Sequence, residues 1–107
     1  MEQKRELFRL SIRRTGHLIH RTDTLPCEVL DLTDKGMLIE ARCTASIGDE
    51  LQLEFPLTPT TLLRCTITVT HVAPPHLGAR ISSISTDHQK ALSRFIDELL
   101  ALNVTGF

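Results

Sequence analysis

Two short stretches of this 107-residue chain carry side chains whose types and spacing could do chemistry. The first is Arg5-Glu6-Leu7-Phe8-Arg9, an RxxxR segment, and the second is Asp31-Leu32-Thr33-Asp34-Lys35-Gly36, a DxTxxG segment. Arg5 and Arg9 offer two planar forks of N–H donors, which hold phosphate oxygens or take the O6/N7 edge of guanine bidentately. Asp31 accepts from the amino and imino groups of a base, and Thr33 adds a hydroxyl that donates or accepts. Gly36 permits a positive φ and lets a flat ligand lie close to a turn. Singly, each segment is a weak signal, since RxxxR arises in any basic tail and DxTxxG in a plain hairpin turn.

The charge distribution narrows the ligand class. Residues 1–21 hold six bases and two acids, a net +4, while the remaining 86 residues hold six bases and eleven acids, a net −5. A basic arm on an acidic body reaches a local anion, but the body repels a long nucleic-acid backbone. The chain has no Trp or Tyr and four Phe, so stacking on a single strand has almost nothing to use. A compact phosphate ligand fits better than a nucleic-acid polymer.

Other chemistries find no footing. HExxH, GxSxG, P-loop and GxGxxG patterns are missing from the sequence, and the chain reads as a non-enzyme. His17 and His20 fall on opposite faces of an alternating segment, which is poor for a shared metal. Cys65 and His71 share a parity, with His76 nearby, but a zinc site there would need a fourth ligand. Cys27, Cys43 and Cys65 form no CxxC and leave one over, which favours reduced thiols in a cytoplasm and a role as small apolar core residues. No apolar run approaches the roughly 18 residues of a membrane span, and the polar start MEQKRE is not a signal peptide.

The elements that must position these residues are mostly strands. Leu10, Ile12, Gly16 and Leu18 alternate with polar neighbours, as a half-buried strand requires. Thr22-Asp23-Thr24 reads as a turn, with Pro26 restricted to a strand start or an edge. Further strands follow at residues 27–32, 37–41 and 51–55, then a Thr-rich loop between Pro56 and Pro59. The fifth strand, Arg64 to Val72, alternates most cleanly: Cys65, Ile67, Val69 and His71 on one face, Thr66, Thr68 and Thr70 on the other. Pro74-Pro75 breaks it, and residues 77–81 return as a sixth. Thr86-x-x-Gln89 is a capping box, and Leu92, Phe95, Ile96, Leu99 and Leu100 form one apolar helical face. The expected fold is mainly β: a six-stranded antiparallel barrel over residues 10–84 with a C-terminal α-helix over 86–103, preceded by a basic arm at 1–9.

In this order the two segments and the elements resemble the PilZ domain family, bacterial receptors for cyclic di-GMP whose signature is RxxxR followed about twenty residues later by (D/N)xSxxG. From Arg9 to Asp31 the gap here is 22 positions, and KRELFR, EVLDLTDKGM, GDELQLEF and LGARISSIS each stand where the family would put them. The register Arg9-x-x-x-Arg13 also spells RxxxR, but Arg13 falls within the first strand and shortens the gap to 18. The resemblance implies that Arg5 and Arg9 grip phosphate and guanine, while Asp31, Thr33 and Gly36 line the base pocket. Thr33 departs from the usual Ser, keeping the hydroxyl and adding a methyl. The implied role is second-messenger signalling in motility and biofilm formation, passed on to a downstream protein by an arm that orders over the nucleotide. No other cofactor is implied. A nucleotide-independent adaptor for pilus or flagellar machinery is the alternative.

Overall fold

The computed structural model describes residues 9–33 and 36–105. Six strands run in chain order: β1 (Leu10–His20), β2 (Asp23–Leu32), β3 (Gly36–Ala41), β4 (Glu50–Thr58), β5 (Thr61–Ala73) and β6 (His76–Ser83). They form one closed barrel in the order β1-β2-β3-β6-β5-β4, every pairing antiparallel. Closure comes from β4 returning to β1, where His17, Leu18 and Ile19 face Glu54, Leu53 and Gln52. A closed barrel leaves no unpaired edge.

Period two builds the core. Leu51, Leu53, Phe55 and Leu57 of β4 and Leu63, Cys65, Ile67 and Val69 of β5 are all buried, as are Val29, Leu32, Ile39, Leu77 and Ala79. Each large apolar side chain removed from water here contributes roughly 1.5–3 kcal/mol. Gly16 is buried at the β1–β4 closure, where an added Cβ would lie 2.6 Å from Phe55 Cβ. A side chain at that position would push the two strands apart.

The last element is α1 (Thr86–Thr105). It covers the barrel with Leu92, Phe95 and Ile96, all buried, and with Leu99 and Leu100 partly buried against the same core. Its N-cap is Ser85 rather than Thr86: the Ser85 hydroxyl accepts from His88 N at 3.2 Å, and Gln89 N donates to the Ser85 carbonyl at 2.8 Å. The Gln89 side chain donates forward to Ser93 instead of reaching back, so the expected capping box does not form. The helix is tied down at both faces of its first turns. His88 Nδ1 accepts from Arg64 N on β5 at 3.0 Å, and the Arg14 guanidinium sits 5.7 Å from the centre of the Phe95 ring.

Several boundaries differ from the sequence reading, each for a local reason. The first hairpin turns at Arg21-Thr22, with His20 opposite Asp23, because Arg21 itself takes the positive φ of 63° that a tight hairpin needs. Asp23 and Thr24 therefore belong to β2. Pro26 stands inside β2 opposite His17, beyond the last β2–β3 pair at Cys27 and Ala41, so β3 never asks it for an N–H. Pro56 is likewise inside β4, and the turn falls at Pro59-Thr60 between the paired Thr58 and Thr61.

Candidate functional site

Among the described residues the ladders shift register at five places, and two of these flank a single cleft. Between β2 and β3, Val29 faces Ile39 while Asp31 faces Leu38, leaving Leu30 as an extra residue. Between β5 and β6, Val69 faces Ala79 while His71 faces Gly78, leaving Thr70 extra. The others lie at Ile12 and Arg13 of β1, at Leu57 of β4 and at Ser82 of β6. A bulge resets the inward–outward alternation beyond it. Past Leu30 it is Leu32 that enters the core, and Asp31 turns to the outer face. Past Thr70, His71 is exposed and Val72 packs against the core.

His71 thus leaves the face of Cys65, Ile67 and Val69, correcting the shared parity expected of the fifth strand. The Cys65–His71 pairing imagined for zinc goes with it. Among the described residues no group of three or more His, Cys, Asp or Glu side chains could hold a metal. Cys27, Cys43 and Cys65 are free thiols. Burial pushes the Cys65 thiol up to about 12. Burial also raises Cys27 to about 11, partly opposed by a hydrogen bond from the Gly16 backbone. Neither is a nucleophile at neutral pH.

The cleft has a volume of about 440 Å³ and is lined by Arg9, Asp31, Thr33 and Gly36 together with Leu38, Thr70, His71 and Gly78 and their neighbours. Four of the five residues singled out in the sequence therefore meet in one place; the fifth, Arg5, lies outside the described residues, as does nearly all of the arm. Arg9 Nη1 stands 3.8 Å from Asp31 Oδ2, with the arginine side chain 72% exposed and the aspartate 19%. The Ser11 hydroxyl donates to Asp31 Oδ1 at 3.3 Å. So exposed a pair contributes little to stability and opens at little cost.

Thr33 and Gly36 close the β2–β3 hairpin on each other. Thr33 N donates to the Gly36 carbonyl at 2.9 Å, and Gly36 N donates to Thr33 Oγ1 at 3.0 Å. The hydroxyl of Thr33 thus shapes the loop, and its extra methyl does not prevent that. Gly36 is needed for a reason other than the one expected. Among the described glycines only Gly48 has a positive φ, so Gly36 is not a left-handed turn residue. A Cβ on Gly36 would instead lie 2.6 Å from the Ala79 carbonyl oxygen, so the close approach of β6 excludes a side chain.

Arg13 does not share the cleft. Its Nη1 lies 2.6 Å from Glu28 Oε1 on the barrel wall, and it borders an adjoining groove that shares Asp31 and Leu38 with the cleft. The residues missed in the sequence are Thr70, His71 and Gly78. Their only sequence signal is the adjacent polar pair Thr70-His71 ending a run that otherwise alternates.

Comparison with known proteins gives two findings. The PilZ domain family profile matches residues 3–98. Among solved structures, the chain is similar to the Bacillus subtilis inhibitor of motility MotI/DgrA, with a TM-score of 0.75 and 12% identity over 87% of this chain. It spans 49% of that protein's length, so the likeness concerns the fold. No curated protein matches the sequence.

Proposed function

The chain belongs to the PilZ domain family, and on that premise we propose that it is a cyclic di-GMP receptor without catalytic activity that signals to a partner protein. The observation that carries this reading is the meeting of Arg9 and Asp31, from opposite ends of the two sequence segments, at one cleft of ligand size. Guanine presents acceptors at O6 and N7 and donors at N1 and N2. An exposed guanidinium beside a carboxylate offers the complement of each, and opening their 3.8 Å ion pair frees both for the base. The bulge at Leu30 turns the carboxylate outward, and the hairpin closed by Thr33 and Gly36 holds the adjoining rim.

Arg5 is assigned the phosphates, with the segment before β1 closing over the bound nucleotide and presenting a changed surface to the partner. Free thiols at three cysteines suit a cytoplasmic setting. Among the described residues no helix is long and apolar enough to cross a membrane.

Calorimetric titration tests the reading. Cyclic di-GMP is expected to bind and cyclic di-AMP to bind far more weakly, because adenine reverses the donor and acceptor pattern that Asp31 and Arg9 read. Amide exchange at residues 4–10 is expected to slow on adding the nucleotide. An absence of binding would move the chain to the nucleotide-independent adaptor class, and equal affinity for the two nucleotides would remove Asp31 from base recognition.

A further inference from the structure

Beyond the two sequence segments, the ladder registers align a third group with them. Ser11 faces Asp31, Asp31 faces Leu38, Leu38 faces Gly78, and Gly78 faces His71, so five residues form one continuous row across β1, β2, β3, β6 and β5. Side chains in such a row share a face of the sheet. Asp31 and His71 stand three strand spacings apart, about 14 Å along the sheet. Both line the same cleft.

We infer that His71 is a ligand-contacting residue of this cleft, its imidazole forming the wall against which a planar base lies, with Gly78 left bare to admit that base. The inference rests on the receptor reading above and names a contact that neither sequence segment contains.

Three observations support it. Strict alternation would have buried His71 with Val69, and the Thr70 bulge turns it out instead. Next to it in the row is a glycine, and a Cβ there would meet His71 Cβ at 3.2 Å and Thr70 Oγ1 at 3.6 Å. Any side chain at position 78 would therefore occupy the space beside the imidazole. Among the described residues lining the cleft, His71 carries the only ring. Phe55 and Phe95 are both committed to the core. A ligand with two bases then has two distinct seats: an edge-on seat at Arg9 and Asp31, and a face-on seat over Gly78 against His71.

Titration of cyclic di-GMP into the parent protein, His71→Ala, His71→Phe, Gly78→Val and Arg9→Ala tests this, with melting midpoints confirming that each variant is folded. Loss of a stacking ring is expected to weaken binding about tenfold in His71→Ala. Gly78→Val should weaken it at least as much by filling the seat, while His71→Phe, which keeps a flat ring, should stay within about threefold of the parent. In the unsubstituted protein, the His71 ring protons should move upfield in the NMR spectrum on adding nucleotide, a readout that needs no variant to fold. If Arg9→Ala loses affinity while His71→Ala binds as the parent does, the His71 assignment falls and the receptor reading stands. His71→Phe as weak as His71→Ala would overturn stacking, and a parent that binds nothing would overturn both readings.

Discussion

The two ends of β5 are built by different rules. From Leu63 to Val69 every second residue is buried, and the register against β4 runs unbroken from Thr68 to Leu62. At Thr70 the register against β6 slips by one, and two consecutive polar residues face outward. The same contrast separates the middle of β2, where Cys27 and Val29 are buried, from its end, where Leu30 is extra and Asp31 turns out. At Leu30 and at Thr70 the interruption aims a polar group at the cleft, whereas the one at Leu57 leaves a leucine in the core. The interruptions cost backbone pairing and are kept where they re-aim a side chain.

That contrast can be broken from the core side first. Phe95→Ala removes a buried ring from α1 together with the surface beneath Arg14, and should lower unfolding free energy by about 3–5 kcal/mol in denaturant titration. The fraction that remains folded should still bind nucleotide; a normal midpoint would instead mark the apolar face of α1 as a partner surface. Arg9→Ala should do the reverse. It leaves stability nearly untouched, because its ion pair is exposed, but weakens cyclic di-GMP by roughly 1.5–3 kcal/mol, or about 10–150-fold, in calorimetry. Should Arg9→Ala bind as the parent does, Arg13→Ala becomes the variant to measure.

Smaller changes sharpen the comparison. Ser85→Ala removes the helix cap far from the cleft and should cost about 1 kcal/mol of stability with affinity unchanged. Thr33→Ser keeps the hydroxyl that accepts from Gly36 N, so thermal stability and nucleotide affinity should both stay close to the parent, with any change in affinity toward tighter binding. Arg21→Gly relieves a positive φ at the tip of the first hairpin and should raise stability by about 0.5 kcal/mol in denaturant titration.

Alternation made the barrel legible in the sequence: the buried faces of β4 and β5 and the apolar stripe of α1 stand in period two and period 3.6. Motif spacing made Arg9, Asp31, Thr33 and Gly36 legible as a set. What stayed hidden follows from bulges and from backbone proximity. An extra residue at Leu30 or Thr70 leaves no mark in composition, so strict alternation assigned His71 to the core. Gly36 and Gly78 matter for what lies across from them in β6 and β5, which only the strand order reveals. Pro26 and Pro56 looked like strand limits because local sequence does not show where a neighbouring strand has ended.

The central claim, that the interrupted end of the barrel is the ligand-binding end, is tested most directly by amide chemical-shift mapping with cyclic di-GMP. The largest shifts are expected at Asp31, Leu38, Gly78 and His71, the row that crosses the cleft, and at residues 9–11. Amides from Leu63 to Ile67 and along α1 should stay in place. Shifts concentrated on α1, or spread evenly over the regular ladder, would contradict the account.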